Sequence, residues 1–311
     1  MNSNQPNKSR FAAEGLKKTI RSKTEEIQQL YTEDSSPWII GYSGGKDSTA
    51  TLQLIWQAIA ELPSDQRKKQ IHVISTDTLV ENPIVAQWVD VSLRKMAEAA
   101  EAESLPFIPH RLTPTVQDSF WVNLIGRGYP VPRPKFRWCT SRLKINASNT
   151  FINELLKQHG ETILVLGTRK AESSVRSANM TKYEEISTRE LLSVNGNNPG
   201  SWVYTPISDW TNDDVWLYTQ QVKNPWGHKN VDLLTMYQGA TEGGECPLVV
   251  DDSTPSCGDS RFGCYVCTMV EQDKSMTAMV QNDQEKEWML PLMNFRNNWL
   301  DPKTDRQYRD F

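Results

Sequence analysis

Long apolar stretches are missing from this 311-residue chain: no run of 18 uninterrupted apolar residues occurs, which excludes a helix able to span a membrane. Glycine and proline number 16 and 17, too few for a collagen-like or low-complexity chain. Neither sign of charge dominates, because 34 Lys and Arg stand against 38 Asp and Glu. Binding to a polyanion must therefore come from a local basic patch. Residues 1–10 lack the apolar core of a secretory signal, so we expect a cytoplasmic protein without membrane contact.

The chain contains only five cysteines, an odd number, which argues against a disulfide framework. Cys139 stands alone, whereas the other four fall within 22 residues in the pattern Cys246-x10-Cys257-x6-Cys264-x2-Cys267. Four clustered thiolates predict a [4Fe–4S] cluster, with structural zinc as the alternative. We favour the cluster because zinc sites commonly use two C-x2-C pairs and only one is present. Cys139 remains an alternative fourth ligand.

Short apolar runs alternate with amphipathic segments along the first two thirds of the chain, which predicts an α/β fold with a doubly wound, mainly parallel sheet. The predicted strands are 38–42, 71–75, 107–112, 163–167 and 202–207, and the predicted helices are 49–62, 84–100, 149–158 and 215–221. We expect an N-terminal arm at 1–34, a main domain at 35–223, and a cysteine-rich module with a helical tail at 224–311. Within the last, 224–270 is expected to be irregular and 272–300 helical, and the chain is expected to be truncated at its C-terminus.

A glycine-containing loop follows the first predicted strand and opens the first helix of the main domain. Its sequence at 43–48 is SGGKDS. Two glycines allow a tight turn whose backbone amides converge on an anion, and Ser43, Lys46 and Ser48 add hydroxyl and ammonium donors. The loop is not a Walker loop, because Ile40 and Asp47 stand where glycine and a hydroxyl residue are required. It predicts a phosphate site, with a plain strand-to-helix turn as the alternative.

Two further strand ends carry candidate nucleotide contacts, since ligands of such sheets bind beyond the carboxyl ends of the strands. Asp77 follows the second strand, where it could bind a ribose, or magnesium through water. The alternative is a helix cap or a turn residue. Gly167 and Arg169 follow the strand at 163–167 and are expected in a second nucleotide-contacting loop. For Lys170 and Arg176, which come next, a charged helix start is an equal alternative.

The segment 121–153 contains no Asp or Glu, so its cations form a candidate patch for polyphosphate or nucleic acid without counter-charges. The six cations are Arg127, Arg133, Lys135, Arg137, Arg142 and Lys144. Phe136 and Trp138 lie between them and are expected in the core rather than stacked on bases. Cys139 lies inside the patch, and we expect the nearby cations to lower its pKa, which makes it a candidate sulfur carrier. An inert buried cysteine is the alternative.

These motifs together resemble a known superfamily. SGGKDS at 43–48, WCT at 138–140, GTRKAES at 167–173 and PISDW at 206–210 resemble the PAPS-reductase-like branch of the PP-loop ATP pyrophosphatases. RFGCYVCTMVE at 261–271, with DKSM at 273–276, resembles the DndC family of DNA phosphorothioation proteins. The resemblance covers about 35–311. The sequence itself argues against the PAPS and APS reductases. PAPS reductases carry a C-terminal catalytic cysteine, whereas no cysteine follows Cys267 here. APS reductases carry an adjacent Cys-Cys pair, which this sequence lacks.

The resemblance implies an adenine-nucleotide alpha-hydrolase-like fold and an enzyme that cleaves ATP to AMP and pyrophosphate. It implies Mg²⁺ and a [4Fe–4S] cluster as cofactors, and DNA, a cysteine desulfurase and other Dnd modification proteins as partners. Lys46, Asp47 and Cys139 are the implied catalytic residues, and Arg133, Lys135, Arg137 and Arg142 the implied DNA contacts. The implied ATP contacts are Ser43, Gly44, Gly45, Lys46, Asp47, Ser48, Asp77, Gly167 and Arg169. A PAPS- or APS-type reductase, a tRNA thiolase and a nucleotide sensor that does not cleave ATP remain alternatives.

Overall fold

The computed structural model describes residues 9–241 and 262–308, so the predicted ligands Cys246 and Cys257 lie outside the described residues. The chain divides into two compact units, each assembled from separated segments. The first is drawn from Met1–Ser75, Val91–His110 and Phe151–Asn230, and the second from Thr76–Asp90, Arg111–Thr150 and Val231–Phe311. The domain boundaries at 34 and 223 stay predictions.

A six-stranded sheet with the order β3-β2-β1-β4-β6-β5 organises the described residues. Its strands are β1 (Trp38–Gly41), β2 (Ile71–Thr76), β3 (Phe107–Leu112), β4 (Thr162–Val165), β5 (Leu192–Val194) and β6 (Ser201–Tyr204). β1 pairs in parallel with β2 and β4, and β4 pairs in parallel with β6. Among the pairings of the described strands, only the one between β5 and β6 is antiparallel. The predicted α/β fold with a mainly parallel sheet is confirmed.

Helices connect the strands and continue to the end of the described chain. They are α1 (Arg10–Glu14), α2 (Leu16–Glu33), α3 (Lys46–Ala60), α4 (Pro83–Ala102), α5 (Asn146–His159), α6 (Ser174–Glu185), α7 (Asn212–Gln221), α8 (Asn230–Gly239), α9 (Lys274–Asn282) and α10 (Leu290–Trp299). A 3₁₀ helix at Gln284–Met289 joins α9 to α10. None of the described helices is both long and apolar enough to cross a lipid bilayer.

The first unit is built on strands that are buried on both faces, as parallel strands covered by helices must be. Every residue of β1 except Gly41 is buried, as are the first five residues of β2. Helix α3 buries nearly all of its side chains and packs against both α2 and α7. Trp56 of α3 stacks on Phe107 of β3 with ring centroids 4.3 Å apart. This buried helix is the one that begins at the candidate phosphate loop.

The N-terminal helix α1 is fastened to the start of α7 through one buried carboxylate. Asp214 is 1% exposed and accepts hydrogen bonds from the hydroxyl of Ser9 and from the backbone amides of Arg10 and Phe11. It also accepts from the amide and hydroxyl of Thr211, the N-cap residue of α7. These donors hold the pKa of Asp214 below its usual value although burial acts in the opposite direction. Residues 9–14 are therefore an integral part of the first unit.

Three elements differ from the sequence-based expectation. The edge strand β5 and helix α6 fall in a polar stretch where no element is predicted. Helix α8 lies inside 224–270, which we expected to be irregular, so that expectation is wrong for Asn230–Gly239. The helix is stabilised by burial of Leu233, Met236 and Tyr237 rather than by a regular apolar stripe.

Candidate functional site

The loop between β1 and α3 has the geometry expected of a phosphate-binding turn. Gly44 has a φ of +75°, a left-handed conformation that glycine adopts without a steric penalty. Gly45 is the N-cap of α3, so no cap side chain covers the start of this 15-residue helix. Amide groups and the positive end of the helix dipole thus face the turn.

Ser48 stabilises this loop through hydrogen bonds to other residues of the loop. Its Oγ accepts a hydrogen bond from the amide of Ser43 at 3.2 Å and lies 3.1 Å from the Oγ of Ser43. The same hydroxyl donates to the carbonyl oxygen of Gly45 at 3.0 Å. The loop is therefore held in shape by its own side chains, which lowers the entropy cost of ordering it around an anion.

Asp47 lies between two cations of the same unit. Its Oδ2 is 2.9 Å from Nζ of Lys46, and its Oδ1 accepts from Nε of Arg169 at 2.6 Å. Arg169 is only 4% exposed and also donates to the carbonyl oxygen of Trp210. Two cations around one carboxylate leave the loop with a net positive charge, which suits an anionic ligand. The predicted contact of Arg169 with nucleotide stays a prediction, since Asp47 and Trp210 are its observed partners.

Gly167 is required by close packing against the first turn of α3. A Cβ added at Gly167 would lie 2.8 Å from the carbonyl oxygen of Asp47 and 2.9 Å from Oγ1 of Thr51. Only a residue without a side chain lets the segment after β4 approach the helix this closely. The structure thus brings the predicted residues 43–48, Gly167 and Arg169 together in the first unit.

Asp77 belongs to the second unit, where both of its carboxylate oxygens have partners. Oδ1 accepts from the amide of Leu79 at 2.8 Å, and Oδ2 accepts from the guanidinium of Arg111. The hydrogen bond that Arg111 donates to Asp77 raises the pKa of Arg111. The Leu79 contact is the Asx turn that the sequence offered as the alternative. Binding of ribose or magnesium by Asp77 stays a prediction.

Three of the five cysteines are described, and all three are free thiols of the second unit: Cys139, Cys264 and Cys267. The amide of Cys267 donates to the carbonyl oxygen of Cys264 at 2.9 Å, which closes the C-x2-C turn. Cys139 and Cys264 pack against one apolar cluster. That cluster consists of Val80, Phe120, Leu124, Val131, Trp138, Leu143, Val266 and Leu300.

Cys139 does not have the lowered pKa that its sequence context predicts. Burial raises the pKa of its thiol, and the charge of Cys267 adds to the rise. The expectation that neighbouring cations lower this pKa is therefore wrong, because the cations point elsewhere while the thiol packs on the apolar cluster. Cys139 precedes a π-helical turn at Thr140–Ile145, a feature that is frequent at functional sites.

Cys264 has a polar environment that the sequence did not reveal. Its Sγ lies 3.3 Å from Oγ1 of Thr78 and 3.8 Å from Oε1 of Glu81, and Lys144 is paired with the same Glu81 oxygen at 3.3 Å. Burial and the charge of Glu81 together raise the pKa of Cys264 to about 12, although Lys144 and Thr78 act in the opposite direction. Glu81 and Cys264 are brought together by an antiparallel β-bridge between distant segments, which no local motif signals.

The described residues do not by themselves form a metal site. Within 9–241 and 262–308, no three His, Cys, Asp or Glu side chains are placed to hold one metal ion. Cys264 and Cys267 offer two thiols, and the other two predicted ligands lie outside these ranges.

The basic segment divides into paired and unpaired cations. Arg142 donates to Asp118 at 2.6 Å and to the hydroxyl of Tyr129, and Lys144 is paired with Glu81. The expectation that the six cations lack counter-charges is thus wrong for these two, because carboxylates from outside 121–153 reach them. Arg133, Lys135 and Arg137 are exposed on one short turn, and the structure shows no ion pair between them and any other described residue.

The two aromatic residues of this segment have opposite environments. Trp138 is 6% exposed and donates from Nε1 to the carbonyl oxygen of Pro130, as expected of a core residue. Phe136 is 42% exposed. The expectation that Phe136 lies in the core is therefore wrong, since the turn at 133–136 carries it away from the apolar cluster.

A parallel sheet whose first strand runs through a glycine turn into a buried helix defines an α/β nucleotide-binding fold. The phosphoadenosine phosphosulfate reductase domain matches residues 37–269, well over half of the chain. The protein belongs to the phosphoadenosine phosphosulfate reductase family, which confirms the superfamily that its motifs indicate.

Individual relatives are distant. An uncharacterised protein of Methanocaldococcus jannaschii is 22% identical over 245 residues, which cover 79% of this chain and 39% of that protein. The chain thus spans well under half the length of this curated relative. Among solved structures, a U34-tRNA thiolase NcsA from Methanococcus maripaludis with its [4Fe–4S] cluster is 12% identical, with a TM-score of 0.40, and the match covers 95% of this chain and 81% of that one.

Two other solved structures are similar to the chain at the same low level. A phosphoadenylyl-sulfate reductase from Candida auris is 13% identical, with a TM-score of 0.37 over 66% of this chain and 85% of that chain. An FMN adenylyltransferase from Candida glabrata is 13% identical, with a TM-score of 0.41 over 99% of this chain and 92% of that chain. All three TM-scores are low, and the fold is defined by the chain's own sheet order.

Proposed function

We propose that the protein is an ATP pyrophosphatase that activates a DNA backbone phosphate by adenylylation, so that sulfur can replace a non-bridging oxygen. The phosphate turn supports the first half of this proposal: it has a left-handed Gly44, an internal Ser43–Ser48 clamp and a net positive charge at the start of α3. The segment 261–276, which resembles DNA phosphorothioation proteins, supports the second half.

In this proposal the turn holds the leaving pyrophosphate. A non-bridging oxygen of DNA attacks the α-phosphorus of ATP, the bond between the α-phosphorus and the bridging oxygen breaks, and pyrophosphate leaves. Residues 43–48 bind the two outer phosphates, and Mg²⁺, when bound, would neutralise part of their charge. Asp47 holds Lys46 and Arg169 in place through its two ion pairs. The protein contributes mainly positioning and electrostatic stabilisation.

Sulfur then replaces the activated oxygen. A persulfide on Cys139, supplied by a cysteine desulfurase, attacks the DNA phosphorus through its terminal sulfur, and AMP leaves with the former DNA oxygen. Two thiols of a reductant, which are oxidised to a disulfide, then cleave the remaining sulfur–sulfur bond, so that the outer sulfur stays on the DNA phosphorus and Cys139 is released as a thiol. Arg133, Lys135, Arg137 and Arg142 guide the DNA backbone, an interaction that weakens as salt rises. Other Dnd modification proteins act with this chain.

The four clustered cysteines, Cys246, Cys257, Cys264 and Cys267, are proposed as ligands of a [4Fe–4S] cluster. Protein prepared without oxygen is expected to contain iron and acid-labile sulfide and to absorb in the visible range. Cys264→Ser should lose both iron and absorbance. A colourless, zinc-containing wild type would contradict the cluster.

The ATP half of the proposal is tested by pyrophosphate release. Wild-type protein with ATP, Mg²⁺ and DNA is expected to release pyrophosphate, and Lys46→Ala should abolish release while the circular dichroism spectrum is retained. Lys68→Ala, an exposed lysine of the same unit, is the matched control and should keep full activity. Undiminished release by Lys46→Ala would remove the turn from the mechanism, and ATP bound without cleavage would indicate a nucleotide sensor.

The DNA half is tested by mass spectrometry. DNA from cells that carry the gene, but not from cells that lack it, should contain phosphorothioate dinucleotides.

The family assignment itself favours a second candidate, a reductase of an adenylylated sulfate. Such a reductase would form sulfite with a thioredoxin-like donor and would leave the DNA unmodified. A tRNA thiolase would instead add sulfur to tRNA.

A further inference from the structure

The five residues 133–137 form a short exposed turn, called the basic turn below. The amide of Arg133 donates to the carbonyl oxygen of Phe136 at 3.2 Å, and the amide of Phe136 donates back at 2.7 Å. All five residues of the turn are exposed. Two reciprocal backbone hydrogen bonds thus close the turn and present its side chains to solvent.

The basic turn is anchored at both ends. Val131 before it and Trp138 after it both belong to the apolar cluster of the second unit. Trp138 also donates to the carbonyl oxygen of Pro130, and Thr268 donates to the carbonyl oxygen of Pro132. A short turn fixed at each end presents its side chains in a defined arrangement and loses little entropy on binding.

Three side chains of the basic turn are cations: Arg133, Lys135 and Arg137. No carboxylate of the described residues pairs with any of them, whereas Arg142 and Lys144 nearby in sequence both have carboxylate partners. Three uncompensated cations within five residues attract a ligand with several negative charges along its length.

Phe136 stands among these cations and is 42% exposed. An acidic peptide would satisfy the cations but offers no regular flat face to the phenyl ring. A nucleic acid strand offers both features, because each phosphate is followed by a base with a π-face on which an aromatic ring stacks. The combination of exposed cations and an exposed aromatic ring is the one used to bind single strands.

We infer that the basic turn binds an unpaired DNA strand, with Phe136 stacked on a base and the three cations on adjacent phosphates. The inference rests on the proposed function for the choice of DNA, and it adds the strand state of the substrate. In a duplex the base faces are already stacked, and a ring inserted between them must first separate the bases. An unpaired base is available to Phe136 without that cost.

The test compares three fluorescent 12-mers in anisotropy titrations: a single strand, the same strand with abasic sites in place of its bases, and a duplex. Phe136→Ala is expected to weaken binding of the single strand about tenfold and to leave binding of the abasic strand unchanged. Phe136→Trp should restore the affinity. Ile125→Ala, which removes another exposed apolar side chain of the same unit, is the matched control and should bind as wild type does.

A second variant isolates the charges. Replacing Arg133, Lys135 and Arg137 by glutamine should weaken binding to all three probes and reduce the slope of log affinity against log salt by about 2. If Phe136→Ala loses the same affinity for the single strand and for the abasic strand, the stacking is overturned. Wild-type binding of the duplex that is as tight as binding of the single strand would also overturn it. Tighter binding of an acidic peptide of equal charge would overturn the nucleic acid assignment.

The outcome is separable from that of the proposed function. Phe136→Ala should bind ATP as tightly as wild type does when DNA is absent. If wild type binds the single strand through Phe136 but produces no phosphorothioate, the proposed reaction fails and the basic turn stands. If DNA is modified while Phe136→Ala binds every probe as wild type does, the basic turn fails and the reaction stands.

Discussion

Arg296 donates two hydrogen bonds to the carbonyl oxygen of Cys267, from Nε at 3.0 Å and from Nη2 at 2.9 Å. The same guanidinium donates to the carbonyl oxygens of Val270 and Glu271, and it is only 7% exposed. One side chain of α10 therefore satisfies three backbone carbonyls of the segment that follows the C-x2-C pair. These hydrogen bonds fix the backbone conformation at the candidate ligand Cys267.

Replacement of Arg296 is predicted to destabilise the protein. Arg296→Met should lower the free energy of unfolding by about 2–4 kcal/mol, because three carbonyls lose their charged donor. Arg296→Lys should recover only part of this, since an ammonium group cannot reproduce the planar fork of the guanidinium. Urea denaturation measures the effect. Lys303→Met, with a side chain 81% exposed and close to the same Glu271, is the control and should change stability by less than about 0.5 kcal/mol.

Gly167→Ala is predicted to disturb the phosphate turn. The added Cβ would lie 2.8 Å from the carbonyl oxygen of Asp47, so the backbone must shift, at a cost of about 1–3 kcal/mol. Pyrophosphate release should fall by more than the loss of folded protein explains. In Gly126→Ala the nearest atom to the new Cβ is 3.9 Å away, and activity should be kept. Full activity of Gly167→Ala would show that the contact between this segment and α3 is not needed.

Stability is predicted to fall with acid between about pH 6.5 and pH 4. Burial lowers the pKa of His72 from 6.5 to about 4, and burial also lowers the pKa of His110. Nδ1 of His72 lies 2.9 Å from Nε2 of His110, a contact that needs one donor and one acceptor. The unfolded chain therefore binds more protons than the folded one, so the stabilisation is complete above pH 6.5 and is lost as the pH falls towards 4.

His72 contributes a slope of at most about 1.4 kcal/mol per pH unit within this window. His72→Gln should remove one contribution, which urea denaturation at several pH values between 4.5 and 7.5 measures. Lys157→Gln, which changes an exposed side chain of the same unit, should leave the slope nearly unchanged. A slope that is identical in wild type and His72→Gln would contradict the assignment.

Cys139→Ser is predicted to separate the two halves of the proposed reaction. Pyrophosphate release should continue, because the phosphate turn does not use Cys139, whereas incorporation of sulfur into DNA should stop. Since burial raises the pKa of Cys139, its reaction with iodoacetamide at pH 7 should also be slower than that of free cysteine. Persistent sulfur incorporation would leave Cys139 with a structural role only. Lys46→Ala, which should lose both activities, provides the reference.

The sequence predicts well what local patterns determine. The apolar run that forms β3 is predicted at the same residues that the structure shows, Phe107–Leu112, and β2 differs by one residue at its end. The phosphate turn is predictable because strand, glycines and helix start are adjacent in the chain. By contrast, β5 has three residues and is held by pairing with β6, a tertiary contact without a local apolar signal.

The site properties that depend on tertiary packing escaped prediction. The number of cations near Cys139 in the sequence suggests a lowered thiol pKa. In the structure the thiol packs on the apolar cluster, and this burial raises its pKa instead. Phe136 and Trp138 are two residues apart and look equivalent in the sequence, yet a turn sends one outward and the other into the core. The contacts of Glu81 with Cys264 and of Arg296 with Cys267 join segments far apart in sequence, so no motif reports them.

The bond between Ser9 and Asp214 spans 205 residues of chain. During synthesis on the ribosome helix α1 emerges before its anchor, which lies 205 residues later in the chain. Until then the amides of Arg10 and Phe11 lack the carboxylate that holds them, and loop closure over so long a distance is slow. The contacts that fasten α1 to the first unit can therefore form only after the start of α7 has been synthesised.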